Sequence, residues 1–264
     1  MGRYQLTRKE NTSPLAQSWR STTRAGVFNR VVIVIHFSLS VKQYAQAETC
    51  PGRALKLPER CPHPDCQATD SLVRWGTYHR WACTESGDYR LSIQRVRCTR
   101  CGRTHSLLPD FLHPFRHYGL DLLHRVIWLY LIVGLGFGQL LNRLSDNGPA
   151  PATVREWVQA FAYGAGYLLL AAVSRGLLTL NPQVELPGPA PPQLDRSRQP
   201  HLKSAYHCWQ LTEQLYALVK ERQPRLHFAA DQLLTFGLHW LQAQALPPRF
   251  FWSPRLTTTP TVPF

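Results

Sequence analysis

Four of the seven cysteines fall into two close pairs, Cys61 and Cys66 in CPHPDC and Cys98 and Cys101 in CTRC. Two turns that each present two thiolates enclose one tetrahedral metal ion, and the chain between them becomes a β-hairpin. The second pair has the common two-residue spacing. The first has four intervening residues, at the loose end of the usual range, and 31 residues separate Cys66 from Cys98. The expected cofactor is Zn²⁺, held by Cys61, Cys66, Cys98 and Cys101, with His63 and His105 as reserve ligands. Pro62 and Pro64 stiffen the first turn, and Gly102 gives the second its backbone freedom. Four unrelated cysteines is the competing reading, against which stand the turn residues at both pairs. Disulfides fit less well, because an odd cysteine count leaves one thiol over and the opening residues lack the apolar core of a secretory signal. Cys83 reads as a strand residue, and Cys50 and Cys208 have no close partner.

The segment between the pairs alternates as strands do. SLVRWGTYHRWAC over 71–83 and YRLSIQRVRC over 89–98 are rich in aromatic and β-branched residues, and ESGD over 85–88 supplies a turn. Strict alternation places Val73, Trp75, Thr77, His79 and Trp81 on one face and Arg74, Tyr78 and Arg80 on the other, with Leu91, Ile93, Arg95 and Arg97 sharing a face of the second strand. One side is then more apolar and the other basic and aromatic. A unit this small buries too little core to stand alone, so the metal would supply much of its folding free energy.

The formal net charge is +14 and the sequence pI near 9.9, which points to a polyanionic partner. Nine arginines and no lysine lie between Arg74 and Arg125, opposed nearby only by Asp70, Glu85, Asp88, Asp110 and Asp121. Arginine forks onto phosphate and guanine edges and stacks on aromatics. Arg74, Tyr78, Arg80, Arg95, Arg97, Arg100 and Arg103 are therefore candidate nucleic-acid contacts. A solvated basic face and an acidic membrane surface are the alternatives.

Along the chain, residues 1–30 read as a disordered leader, and VVIVIHF over 31–37 as a strand that opens a unit running to residue 115. SLLPDFLHPF over 106–115 reads as an extended segment laying Leu108, Phe111 and Phe115 on its neighbour. A helical bundle is expected over 116–180: one helix over 118–133, a short one over 136–145, and a long one starting at Pro151 or Ala152. Leu140, Leu141 and Leu144 would pack on Val154, Trp157 and Val158, leaving Thr153, Arg155, Glu156 and Gln159 to face a DNA groove as a helix-turn-helix does. The two most apolar helical stretches are too short and too interrupted to span a bilayer. A Pro-rich linker over 181–200 precedes a helical hairpin and an irregular tail over 201–264. The fold class is thus α+β, a small β zinc ribbon followed by an all-helical bundle containing a helix-turn-helix.

No catalytic constellation is present: no phosphate-cradling Gly-Lys-Ser/Thr loop, no Gly-x-Ser-x-Gly elbow and no His-Glu-x-x-His pair. The acids, Asp110 among them, read as solvated surface or helix-cap residues rather than as a magnesium site.

CPHPDC, VRWGTYHRW, RVRCTRCGRTHSLLPDFLHPF and TVREWVQAF together resemble a transposase-like group of uncharacterised bacterial proteins, of the domain-of-unknown-function 6431 type. The resemblance covers residues from about Val31 to Phe161. It implies a strand, a zinc ribbon ligated by Cys61, Cys66, Cys98 and Cys101, and a helix-turn-helix, units thought to hold the end of a mobile element. It implies no catalytic acids here, since no RNase H-like domain follows. The expected function is zinc-dependent binding of double-stranded DNA in the cytoplasm, at the nucleoid, without an enzymatic activity. The alternatives are an accessory or remnant of a transposase acting through contacts with a transposase or recombinase subunit, and an RNA-binding ribbon in which Trp75, Tyr78 and Trp81 stack on unpaired bases.

Overall fold

The computed structural model describes residues 32–114, 116–144, 148–161, 166–185, 188–190, 194 and 200–244. The leader over 1–30, Phe115, residues 145–147 and the tail from 247 lie outside the described residues. What is described is an α+β protein, a four-stranded sheet followed by helices.

The alternating segments form a long antiparallel hairpin, β2 (Leu72–Thr84) and β3 (Gly87–Cys98). Only Glu85 and Ser86 connect them, and Gly87 adopts φ +131°, a left-handed value that glycine reaches without a Cβ clash. The apolar strand β1 (Val32–Ile35) does not extend this hairpin from outside. Thr104–Pro109, expected only to be extended, forms β4 between β1 and β3, parallel to the first and antiparallel to the second. The strand order is β1-β4-β3-β2.

Strict alternation fails at one place. Arg74 pairs with Val96, but the next paired residue is Gly76, opposite Arg95, so Trp75 is an extra residue in a β-bulge. The bulge reverses the phase of β2. Arg74 falls on the opposite face from Tyr78 and Arg80, not beside them, and reaches the carbonyls of Arg53 and Leu55 at 3.1 and 2.7 Å. Beyond the bulge the apolar-looking face turns to solvent: Trp81 is exposed, while Tyr78 and Arg80 are half-buried and Ala82 is buried. Gln94, itself buried, donates from Nε2 to the carbonyls of Gly76 and Arg95 at 2.8 and 2.7 Å and so satisfies the backbone that the bulge leaves over.

Two small cores flank the sheet. Ile33, Leu72, Val96 and Leu107 pack behind Cys61 and Cys98, and Ala82, Leu91, Ile93, Leu108 and Leu112 pack with Phe37 and Tyr44. The short helix α1 (Val41–Gln46) brings Tyr44 in. It opens with a capping box in which Ser40 Oγ accepts from the Gln43 N–H and Gln43 Oε1 accepts from the Ser40 N–H.

The helical half is built on one larger core. α2 (Leu120–Leu131), α3 (Phe137–Leu141) and α4 (Pro151–Ala160) contribute Leu123, Val126, Ile127, Leu140, Val154, Trp157 and Val158, with Leu141 and Leu144 at its margin. α5 (Gly166–Leu180), α6 (Pro200–Arg222) and α7 (Leu233–Ala243) close over it with Val173, Leu177, Trp209, Leu215, Leu238 and Leu241. Within the Pro-rich segment, Leu194 is buried in this core, with Val184 and Ala190 against it. α7 also packs on β1, joining the helical half to the sheet. Among the described residues no helix is long and apolar enough to cross a membrane.

Candidate metal centre and basic face

Cys61 and Cys66 sit on the turn leading into β2, and Cys98 and Cys101 on the turn joining β3 to β4. Each turn is closed by its own backbone. Cys66 and Gln67 donate to the His63 carbonyl at 3.0 and 3.2 Å, and Gly102 donates to the Cys98 carbonyl at 2.9 Å. Gly102 adopts φ +69°, which explains a glycine there. The turns are locked together by Thr99 donating to the Ser71 carbonyl at 2.8 Å.

This folding brings the four sulfurs within 4.8 Å of one another, and they are the one group of three or more side chains among the described residues that could hold a metal ion. Cys61 Sγ lies 3.8 Å from Cys101 Sγ, and Cys66 Sγ lies 3.7 Å from Cys98 Sγ. A tetrahedral ion with metal–sulfur bonds of about 2.3 Å requires sulfur–sulfur edges of about 3.8 Å, whereas a disulfide requires about 2.05 Å. The tetrad therefore fits a metal ion and not a pair of bridges. Without an ion the thiols are unequally matched. Burial pushes Cys61 up to about 12 and also raises Cys101. Burial acts the same way on Cys98, but there the Ser71 hydroxyl and the N–H groups of Cys101 and Arg100 outweigh it and bring the thiol down to about 6. The hydrogen-bonded Cys98 thiolate is thus already the favoured ligand form.

The reserve histidines occupy supporting positions. His105 is buried with Nε2 3.5 Å from Cys61 Sγ, a contact from ring to sulfur beside the completed tetrad. His63 Nδ1 accepts from the Asp65 N–H at 3.3 Å within the first turn. Cys83 is half-buried on β2, where burial pushes its thiol up to about 12. Cys50 Sγ donates to the Ser92 carbonyl at 3.1 Å, and Cys208 is buried in the helical core.

The candidate arginines divide into four sets. Tyr78, Arg80 and Arg95 share one face of the sheet, because Gly76 pairs with Arg95 and Tyr78 with Ile93. Arg97 stays close to the metal-site turn, donating to the Gly102 carbonyl at 3.3 Å with its guanidinium 4.6 Å from the Trp75 ring centroid. Arg100 and Arg103 lie on and just after the second metal turn, the first exposed and the second half-buried, and neither guanidinium has a hydrogen-bond or ion-pair partner among the described residues. Arg74 is committed to backbone carbonyls. Trp75 and Trp81 are 52% and 42% exposed, large for indoles in a fold with adjacent apolar cores.

On α4, Arg155, Glu156 and Gln159 are exposed and Thr153 is half-buried, while Val154, Trp157 and Val158 point into the core. Glu156 accepts from Arg116 at 2.9 Å, tying this helix to the segment beside the sheet, and Arg155 lies over the Phe137 ring. Asp110 differs from its expected surface role. It is buried, and its Oδ2 is 2.8 Å from His36 Nδ1 and 3.1 Å from His239 Nε2. Its signal in the sequence was weak because both imidazoles come from distant parts of the chain.

Residues 61–129 match the model of a family described as a domain of unknown function (DUF6431), a match that begins at the first cysteine of the tetrad and ends within α2. Comparisons with curated proteins and with solved structures gave no match.

Proposed function

We propose that this chain is a zinc-dependent DNA-binding protein of transposase-like type, without a catalytic domain of its own, acting in the cytoplasm at the nucleoid. Four sulfurs and no nitrogen or oxygen ligand favour zinc over harder ions, and a closed tetrahedral shell is structural rather than catalytic. Zn²⁺ would hold the two turns together and so present the guanidinium groups of Arg97, Arg100 and Arg103 to a phosphate backbone. The observation that carries the reading is this coincidence: arginines without acidic partners among the described residues lie on and beside the metal turns.

The second contact would come from α2 to α4 used as a helix-turn-helix, with Arg155 and Gln159 toward base edges and Glu156 held by Arg116. The connection from Asn142 to Ala150 is longer than the three- or four-residue turn of the standard motif, so α4 would dock at its own angle.

Zinc content and duplex binding at two salt concentrations, on the wild type and on Cys98→Ser/Cys101→Ser, test the reading. One zinc per chain is expected, with binding lost in the variant and falling steeply with salt as phosphate counterions are released. Binding indifferent to salt and to the cysteines would refute it. A second reading, recognition of single-stranded RNA, is favoured by the exposed Trp75 and Trp81, which are placed to stack on unpaired bases. Competition between duplex DNA and single-stranded RNA separates the two. A partner recombinase subunit would be recognised by its co-purification with the chain.

A further inference from the structure

The face of the sheet that carries Tyr78, Arg80 and Arg95, opposite the one on which His105 meets Cys61, opens into a cleft of about 370 Å³ that Pro114, Arg116 and His117 also line. Its floor is apolar, with Val32 and Leu108 from the paired strands β1 and β4. Its polar side chains are those of Arg80, Arg95 and Arg116, the hydroxyl-bearing Tyr78, Thr104 and Ser106, and His117. Among the described residues no carboxylate lines it.

We propose that this cleft binds a phosphate monoester, either that of a free nucleotide or the terminal phosphate of a nucleic-acid strand. The proposal deepens the nucleic-acid reading, and its strand-end source rests on that reading. The donor set is one-sided in the way an anion requires, and guanidinium forks match phosphate oxygens. Arg80 Nη2 donates to the His113 carbonyl at 3.2 Å, which aims the group but offsets none of its charge. The Arg95 guanidinium has no hydrogen-bond or ion-pair partner among the described residues. Glu156, which neutralises Arg116, lies outside the lining.

The local field shows the same excess. Burial lowers the proton affinity of His117, and the charge of Arg80 lowers it further. Burial likewise lowers His113, followed by the charges of Arg116 and Arg80. Two imidazoles beside the cleft thus lie in a positive field that nothing in the cleft cancels. A monoester carries about 1.5 to 2 negative charges near neutral pH, against one for an internal diester, and suits a site with two uncompensated guanidiniums better. The volume lies toward the lower end of the range of about 300–1,000 Å³ typical of small-molecule sites, room for one nucleotide and not for a duplex.

The test uses the full-length, zinc-loaded protein and one single-stranded DNA oligonucleotide, labelled at its 3′ end, with either a 5′-phosphate or a 5′-hydroxyl. The phosphorylated form is expected to bind roughly tenfold more tightly, the worth of one good charge-assisted contact. A nucleoside monophosphate should compete where the nucleoside does not. Competition without an end preference assigns the site to free nucleotides; an end preference assigns it to strand termini. Arg95→Gln, a half-buried position that leaves the core alone, should abolish the discrimination. Arg100→Gln, outside the cleft, should weaken both oligonucleotides equally. Equal binding of the two oligonucleotides with no competition by the monophosphate overturns the proposal, as does discrimination that survives Arg95→Gln. Covalently closed duplex, which has no ends, separates the two ideas. Zinc-dependent binding to it with neither an end preference nor monophosphate competition sinks the cleft alone, and either of these without such binding sinks the duplex reading alone.

Discussion

Gln242 in α7 holds the backbone of Val34 in β1 from both sides: its Oε1 accepts from the Val34 N–H at 2.7 Å, and its Nε2 donates to the Val34 carbonyl at 2.9 Å. β1 is the outer strand of the sheet, and its free edge would otherwise leave both groups unpaired in a position where Val34 is buried. A side-chain amide is the one group that supplies a donor and an acceptor in the spacing of a neighbouring strand. Gln242→Ala is expected to destabilise the protein by about 2–4 kcal/mol, one to two for each buried group left without a partner. Urea unfolding measures this, and an unchanged midpoint would mean that α7 does not rest on β1 in solution.

Asp110 makes the neighbouring tie. Its buried carboxylate meets His36 from the end of β1 and His239 from α7, and His36 stacks on His227 with ring centroids 4.9 Å apart. Asp110→Asn keeps the shape but replaces the charge with a neutral amide. We expect a loss of about 1–3 kcal/mol from the weakened charge-assisted pair. The metal content of Asp110→Asn should be unchanged, because the thiol tetrad lies elsewhere; a fall in metal content would link the two sites.

These two ties show where the sequence stops being informative. The thiol tetrad was legible because ligand spacing is a local property and each pair makes its own turn. The hairpin was legible from alternation, and the helices of the second half from their apolar spacing. The placement of β4 between β1 and β3 was not, because Val32 and Ser106 pair across a long stretch of chain with no local cue. Asp110 reads as an ordinary turn acid beside Pro109, and its partners stand 74 and 129 residues away. Trp75 shows the smallest failure with the largest effect. One unpaired residue separates Arg74 from the face it was expected to share with Tyr78 and Arg80.

Metal removal should unfold one half before the other. The cores behind the tetrad are small, and the two turns are joined chiefly by the ion they can hold and by the Ser71 contacts. A strong chelator is expected to lower the melting temperature of the sheet, followed through the exposed Trp75 and Trp81, while the larger helical core keeps its far-ultraviolet dichroism to a higher temperature. Coincident loss of both signals would mean that the Gln242 and Asp110 ties couple the halves into one cooperative unit.

His113 and His124 predict a pH dependence whose sign follows from burial. Both are pushed down, His113 to about 3 and His124 to about 4, in each case first by burial. The unfolded chain binds protons at an ordinary imidazole near pH 6.5 while the folded chain does not. Their contribution is therefore fully present above pH 6.5 and is lost as the pH falls toward these depressed values. At saturating zinc, the urea midpoint should fall from pH 7 to pH 5, and His113→Gln should make that fall shallower even though it lowers stability overall. A parallel decline in both proteins would show that His113 is not buried neutral.

The bulge can be tested by a pair of glycine substitutions with opposite signs. Gly76 follows the extra residue Trp75 at φ +115°, in open space, so an added Cβ meets no neighbour and the whole cost is backbone strain. Gly76→Ala should therefore destabilise by about 1–2 kcal/mol, the penalty of placing an L-residue in left-handed space. Gly138, inside α3, also has room for a Cβ but lacks the positive φ, so Gly138→Ala should stabilise by up to about 1 kcal/mol through helix propensity. Gln94→Leu should cost about 1–3 kcal/mol beside Gly76→Ala, because it strands the Gly76 and Arg95 carbonyls. The double variant should lose less than the sum, since both changes act on one bulge. Strict additivity would place Gly76 and Gln94 in separate structures, and the face that gathers Tyr78, Arg80 and Arg95 would then need another cause.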